Sequence, residues 1–197
     1  MSAVDRERIE RAVREILLAI GEDPARPGLE RTPARVAEAY AEFFGGLELD
    51  PVAALGEAVH VGDNSAGEQS TSGAVILRDI DFRSVCEHHL LPFVGLAHIA
   101  YVPGEKVVGL GRLGAVVEIL AARPQLLERL AEEIADALEA GLDAKGVLVV
   151  LDAVHRCVAA RGSRQSNAST VTVVSRGSLT DPLARAELMG LIGASRV

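Results

Sequence analysis

Two short clusters hold both cysteines of the chain and three of its five histidines: Cys86-Glu87-His88-His89 and His155-Arg156-Cys157. Thiolate sulfur and imidazole nitrogen together suit a borderline-soft ion such as zinc, and three protein ligands with one position left for water make the catalytic form of such a site. His88 and His89 are neighbours, so their side chains diverge by about 100° in a helix and oppose each other in a strand. One of the two is expected to bind. Cys86 and His89 share a face in a helical turn, and His155 and Cys157 share a face in a strand. The simplest closed set is Cys86, His89 and Cys157, with His88 and His155 beside it as titratable groups. Spacing alone leaves a second reading open, in which the cysteines are small buried hydrophobes, because formal zinc spacings use paired cysteines that this chain lacks.

A disulfide is the third reading. With two cysteines, no signal-like N-terminus and no apolar run of bilayer length, the expected compartment is a reducing cytoplasm, which argues against a disulfide and against a membrane partner. A net charge of −8 opposes a broad nucleic-acid surface, and four Phe, two Tyr and no Trp leave few platforms for stacking bases. Nucleic acid is therefore not an expected partner. Any anion the chain binds must be met by locally placed arginines.

The elements that must position these residues follow from hydrophobic period. Ile9, Ala12, Val13, Ile16, Leu17 and Ile20 mark a first amphipathic helix. Thr32 as N-cap, Pro33 at the first helical position and the stripe Val36, Tyr40, Phe43, Phe44 mark a second, ended by Gly45-Gly46. Residues 61–73 are rich in Gly, Ser, Asn and Thr and read as a loop. Residues 74–82 and 93–102 read as strands joined through the first cluster. Two helical stripes follow, Leu113 to Leu120 and Leu127, Leu130, Ile134, Leu138, separated by Pro124. Residues 146–160 form a long β-branched run carrying His155 and Cys157, residues 170–174 a partner strand, and residues 182–193 a last helix. This order predicts an α+β fold: a four-stranded antiparallel sheet with helices on one face, preceded by an N-terminal helical pair. Residues 1–60 are expected to form a helical extension and residues 61–197 the catalytic unit. An uncovered sheet face with free edges favours assembly.

Several segments resemble the GTP cyclohydrolase I family: Ser84-Val85-Cys86-Glu87-His88-His89-Leu90-Leu91-Pro92-Phe93, Arg123-Pro124-Gln125-Leu126-Leu127-Glu128-Arg129-Leu130, and residues 152–162 around His155-Arg156-Cys157. Arg31-Thr32-Pro33-Ala34-Arg35-Val36 and Ser169-Thr170-Val171-Thr172 fit as well, so the resemblance runs in order from about residue 6 to residue 193. It implies the tunnelling fold, whose strand-strand-helix-helix-strand-strand units join edge to edge into a barrel, usually a homodecamer with active sites between subunits. It also implies zinc held by Cys86, His89 and Cys157, and hydrolysis of GTP at purine C8. His155 and His88 would move protons, formate would leave, and rearrangement of the ribose would give 7,8-dihydroneopterin triphosphate for folate or a related pathway. Glu128 matches the carboxylate that reads the guanine N1 and amino hydrogens, a pairing adenine cannot make. Arg161 and Arg112 match phosphate ligands, and Arg35 holds a third basic position.

Four positions depart from the family pattern. Gly111 and Ala115 stand where a serine and a second cation are usual, Glu38 replaces a basic residue, and Leu127 replaces a glutamine. Each lost charge-assisted contact is worth about 1.5–3 kcal/mol. The alternative expectation is therefore a divergent paralogue acting on a less phosphorylated or modified guanine nucleotide, or stopping at a ring-opened formamidopyrimidine. Against it stands drift compensated by nearby cations such as Arg164 or Arg176. A non-catalytic scaffold is the reading from a different class, and it requires a closed metal site with a fourth protein ligand.

Overall fold

A computed structural model describes residues 4–60, 73–162 and 164–193. The expected loop at 61–73 lies, apart from Gly73, outside them. Helix α1 (Arg6–Ala19) opens on Asp5, whose carboxylate accepts the Arg8 N–H at 2.9 Å, and it packs on α2 (Thr32–Phe43). Only Val13 and Leu17 of the α1 stripe are buried, and Ile16, Leu18 and Ile20 stay exposed. Arg31, not Thr32, occupies the cap of α2. The Thr32 hydroxyl instead donates back to the Gly28 carbonyl, and Pro33 sits at the start of the helix as its missing N–H allows.

Strand β1 (Val59–His60) pairs with β4 (Lys106–Val107) in a small antiparallel ribbon. The main sheet comprises β2 (Val75–Cys86), β3 (Pro92–Val102), β5 (Pro124–Gln125), β6 (Gly146–His155) and β7 (Thr170–Gly177), in the order β5-β2-β3-β6-β7. It has five strands where four were expected. The four long ones are antiparallel neighbours, and the two residues of β5 run parallel to the end of β2, pairing Cys86 with Gln125.

Helices α3 (Leu110–Ala121) and α4 (Leu127–Leu142) cover one face. Alternation along the strands sends Phe93, Ala97, Ile99 and Tyr101 of β3, and Val147, Val149 and Leu151 of β6, into that core, where they meet Leu130, Ile134 and Leu138 of α4. Each buried Val, Leu, Ile or Phe side chain here contributes about 1.5–3 kcal/mol. The opposite face is not bare. Ala100, Leu148 and Val150 pack there against Leu188 of α6 (Pro182–Gly193), so the expectation of helices on one face is corrected. The cause is visible in β6, which is apolar at consecutive positions from Val147 to Leu151 and needs cover on both sides.

Two local features tie the frame together. At a bulge in β2, Asp79 adopts φ 59° and its N–H donates to His98 Nδ1 at 3.0 Å, which gives His98 a structural role. The chain after α2 is hooked to the end of α3: Gly46 N–H donates to Ala122, and the Arg123 guanidinium donates to the Gly46 and Leu49 carbonyls. A Cβ at Gly46 would lie 2.0 Å from the Ile119 carbonyl oxygen, so only glycine permits this approach.

Candidate metal centre and active site

Cys86 is the last residue of β2, and the chain then makes one tight turn before β3 starts at Pro92. Leu90 N–H donates to the Cys86 carbonyl and Cys86 N–H to the Leu91 carbonyl, both at 2.9 Å, with Leu90 in the left-handed region at φ 52°. This is the helical turn the three-residue spacing calls for. The rings of His88 and His89 stand at 90° with centroids 6.3 Å apart, and only His89 joins the cysteines.

From the other side, β6 ends at His155 and the chain turns into a single helical turn, α5 (Arg156–Ala159). Cys157 therefore sits on a helix, and the expectation that it shares a strand face with His155 is corrected. The turn still delivers its sulfur. Donor atoms of Cys86, His89 and Cys157 all lie within 4.8 Å of one another, close to the span of two metal–ligand bonds of about 2.0–2.3 Å. Cys86 is buried, Cys157 half-buried and His89 exposed, so the cluster opens to solvent on its imidazole side. Burial first, and then the adjacent Cys86, push the Cys157 thiol above its ordinary range, with Arg161 pulling weakly the other way. A cation between the two sulfurs would reverse that balance, which is how a two-thiolate, one-imidazole donor set fits zinc.

His155 lies flat against Phe93, its cross-strand partner on β3. Burial lowers its pKa below the ordinary histidine range, while the Glu128 carboxylate and a hydrogen bond to the Ala153 carbonyl pull it back up. Glu128 is exposed in the first turn of α4, where a carboxylate suits the helix dipole. The His155 imidazole and the Glu128 carboxylate thus act on each other electrostatically.

Sequence reasoning overlooked a polar network directly behind the turn. Gln125 of β5 is 1% exposed, yet its amide is fully used: Nε2 donates to the Leu120 carbonyl at 3.1 Å and to Glu133 at 2.8 Å, and Oε1 accepts from Arg129 Nε at 3.1 Å. Arg129 Nη2 in turn pairs with Glu87, whose own N–H donates to the Gln125 carbonyl at 3.0 Å. The signal was present in the spacing, since Gln125, Arg129 and Glu133 repeat every four residues along the entry to α4.

The arginines are dispersed. Arg161 follows α5 and is exposed, close enough to act on Cys157. Arg112 lies in the first turn of α3 against Gly56, Arg35 is on the exposed side of α2, and neither makes an ion pair among the described residues. Gly111, Gly114 and Ala115 line a groove of about 840 Å³ between α2, α3 and the sheet, whose charged lining is Glu42, Asp81, Arg83 and Glu118, with Arg83 already paired to Glu42. Leu127, where the sequence departs from the expected glutamine, is 1% exposed and packs in the core. Arg176 is held by Glu132, Asp136 and Glu139 and does not stand free as a substitute cation.

The GTP cyclohydrolase I family profile matches residues 9–193. A relative from Leifsonia xyli called GTP cyclohydrolase 1 is 62% identical over 193 residues, 98% of each chain. The chain belongs to the GTP cyclohydrolase I family. It is an enzyme of that hydrolase family, and a second GTP cyclohydrolase 1, from Rhodopirellula baltica, is 50% identical over 96% of this chain and 80% of its own length. A GTP cyclohydrolase 1 from Streptomyces griseus is 44% identical over 98% and 94%. Membership is thus spread over the whole chain, N-terminal helices included. No helix among the described residues is long and apolar enough to cross a membrane.

Proposed function

We propose that the chain hydrolyses GTP at purine C8 with zinc as cofactor, releases formate and carries the product on to 7,8-dihydroneopterin triphosphate. The observation that carries this reading is the convergence of Cys86, His89 and Cys157 within 4.8 Å, beside an imidazole that senses Glu128, in a chain 62% identical to a GTP cyclohydrolase 1. When bound, the ion supplies the Lewis acidity that makes water nucleophilic at neutral pH. Glu128 accepts the guanine N1 and amino hydrogens and orients the base. His155, unprotonated at neutral pH through burial, takes a proton from the attacking water and returns it to N7 as the C8–N bond opens. His88 serves the second hydration, in which the formamide is cleaved and formate leaves. Arg161, Arg112 and Arg35 meet the phosphates.

Arg112, in the first turn of α3 against Gly56, and Arg35, on the exposed side of α2, would meet the phosphates in a site completed between subunits. The assembly we propose joins the outer edge of β7 of one copy to the stretch of β2 that precedes its short pairing with β5 in the next, closing a barrel in a homodecamer, with residues 1–60 as helical extension and residues 61–197 as catalytic unit. The reducing cytoplasm is the compartment in which both thiols stay available.

A second reading rests on the groove beside Gly111 and Ala115, where Asp81 and Glu118, which have no ion-pair partner among the described residues, are acidic. It is a paralogue that opens a less phosphorylated guanine compound or stops at the formamidopyrimidine. Incubating zinc-loaded protein with GTP, GDP, GMP and guanosine, and measuring formate and oxidised pterin in the same samples, decides between them. Equal formate and pterin from GTP supports the first reading. Formate without pterin, or turnover only of the smaller compounds, supports the second, and no formate from any of the four overturns both.

A further inference from the structure

We propose that Arg129 is a positioning residue for the metal-ligand turn, acting through Glu87 and Gln125, and that it couples this turn to the helix carrying Glu128. The inference rests on the reading of Cys86, His89 and Cys157 as metal ligands.

Glu87 stands between Cys86 and His88, so two of the three donors lie within two residues of it. It is held twice. Its N–H donates to the Gln125 carbonyl, and its carboxylate pairs with Arg129. Arg129 also donates through Nε to Gln125 Oε1, so one planar guanidinium bridges the turn and the short strand on which the turn rests. Arg129 uses two separate nitrogens of its fork for these contacts, and lysine, with all three donors on one nitrogen, lacks that planar spread. The orientation of the Gln125 amide is not arbitrary either: its nitrogen faces the Leu120 carbonyl and the Glu133 carboxylate, both acceptors, which leaves the oxygen for Arg129.

An exposed Arg–Glu pair alone contributes little to stability, and the Arg129 and Glu87 side chains are 42% and 32% exposed. What distinguishes this pair is its anchor in a buried, fully satisfied amide and its place one residue from Glu128. Loss of the bridge frees the ligand turn to rotate against α4 while leaving the core packing intact. Groups that orient metal ligands in this way typically change metal affinity 10- to 100-fold when removed.

The test measures zinc affinity by competition with a chromophoric chelator for the full chain and for Arg129→Lys, Arg129→Met, Glu87→Gln and Glu87→Gln/Arg129→Met, with melting of the zinc-free proteins alongside. Arg176→Met serves as the control, since it removes a different ion-pair cluster from α4. The expected result is a 10- to 100-fold weaker affinity for both Arg129 variants, a double variant no worse than the weaker single, and unchanged melting without zinc. Parent-like affinity in Arg129→Lys and Arg129→Met, or loss matched by Arg176→Met, overturns the proposal. Cys86→Ser separates the two levels: if it binds zinc as the parent does, the reading of the metal site itself fails.

Discussion

The imidazole of His155 stacks on the ring of Phe93 with centroids 4.8 Å apart and planes within 11°. Phe93 is wholly buried, so the aromatic core sets the plane of the imidazole next to the cysteine cluster. Replacing Phe93 with leucine keeps the site apolar but removes the flat support. Stability should fall by about 1–3 kcal/mol and kcat roughly tenfold or more, as a misplaced acid–base group costs. Zinc content should stay at the parent level. Thermal melts, formate assays and metal analysis of one preparation check all three, and an unchanged kcat would show that the stacking does not orient the ring.

The electrostatics of His155 can be read in the zinc-free protein. Burial disfavours its cationic form and the Glu128 carboxylate favours it. Glu128→Gln removes the favourable charge, so the imidazole should titrate at lower pH than in the parent, itself below an ordinary histidine. A pH series of the His155 ring-proton shifts by NMR gives the answer, and an unchanged titration would mean that Glu128 does not face this ring.

Glu128→Gln also bears on recognition of the base. The amide keeps one acceptor and loses the charge, so about 1.5–3 kcal/mol of charge-assisted pairing should go, a fall of roughly 10- to 150-fold in kcat/KM for GTP. The comparison to make is with zinc affinity, which should not change.

With zinc stripped, Cys86 and Cys157 are free neighbours with no ion between them. Air should then oxidise them to a disulfide. Only the thiolate attacks, and the raised Cys157 pKa keeps that thiol neutral at pH 7, so the reaction should be slow there and accelerate at a more alkaline pH than free cysteine needs. Thiol counts over time at several pH values, with and without zinc, test this; two thiols persisting at alkaline pH would place the sulfurs apart.

Ala115→Arg returns a cation to the groove between α2 and α3, where Asp81 and Glu118 have no ion-pair partner among the described residues. If phosphates are met there, KM for GTP should fall about tenfold, in line with one charge-assisted contact, and KM for GMP should fall less. Gly111→Ser can be added without a clash, since a Cβ there meets nothing within 4 Å. Equal effects on GTP and GMP would assign the groove to something other than the phosphate chain.

Much of this was legible in the residues, for identifiable reasons. The stripes of α3 and α4 stood out because both bury one face, and the stripe through Leu127 and Leu130 already pointed Leu127 inward. The cysteine–histidine clusters stood out because their residue types are rare in this chain. What escaped was short or two-sided. The strand Pro124–Gln125 is too brief to show a period, and its parallel pairing with Cys86 depends on a distant part of the chain. The end of β6 at His155 was hidden because Val158 and Ala159 continue the apolar run while the backbone has already turned. Cover of the second sheet face by α6 could not be inferred from a helix with so little segregation of apolar and polar residues.

The same two-residue strand sets a rule for how this chain can diverge. Between the hook at Arg123 and the carboxylate of Glu128 lie four residues, with Gln125 pinned to Cys86 on the way. One residue inserted or deleted there would turn Glu128 by about 100° around α4 and part the base-reading group from the metal turn. Substitutions can accumulate along the outer surface of α4, but this stretch tolerates no change of length: it is a ruler.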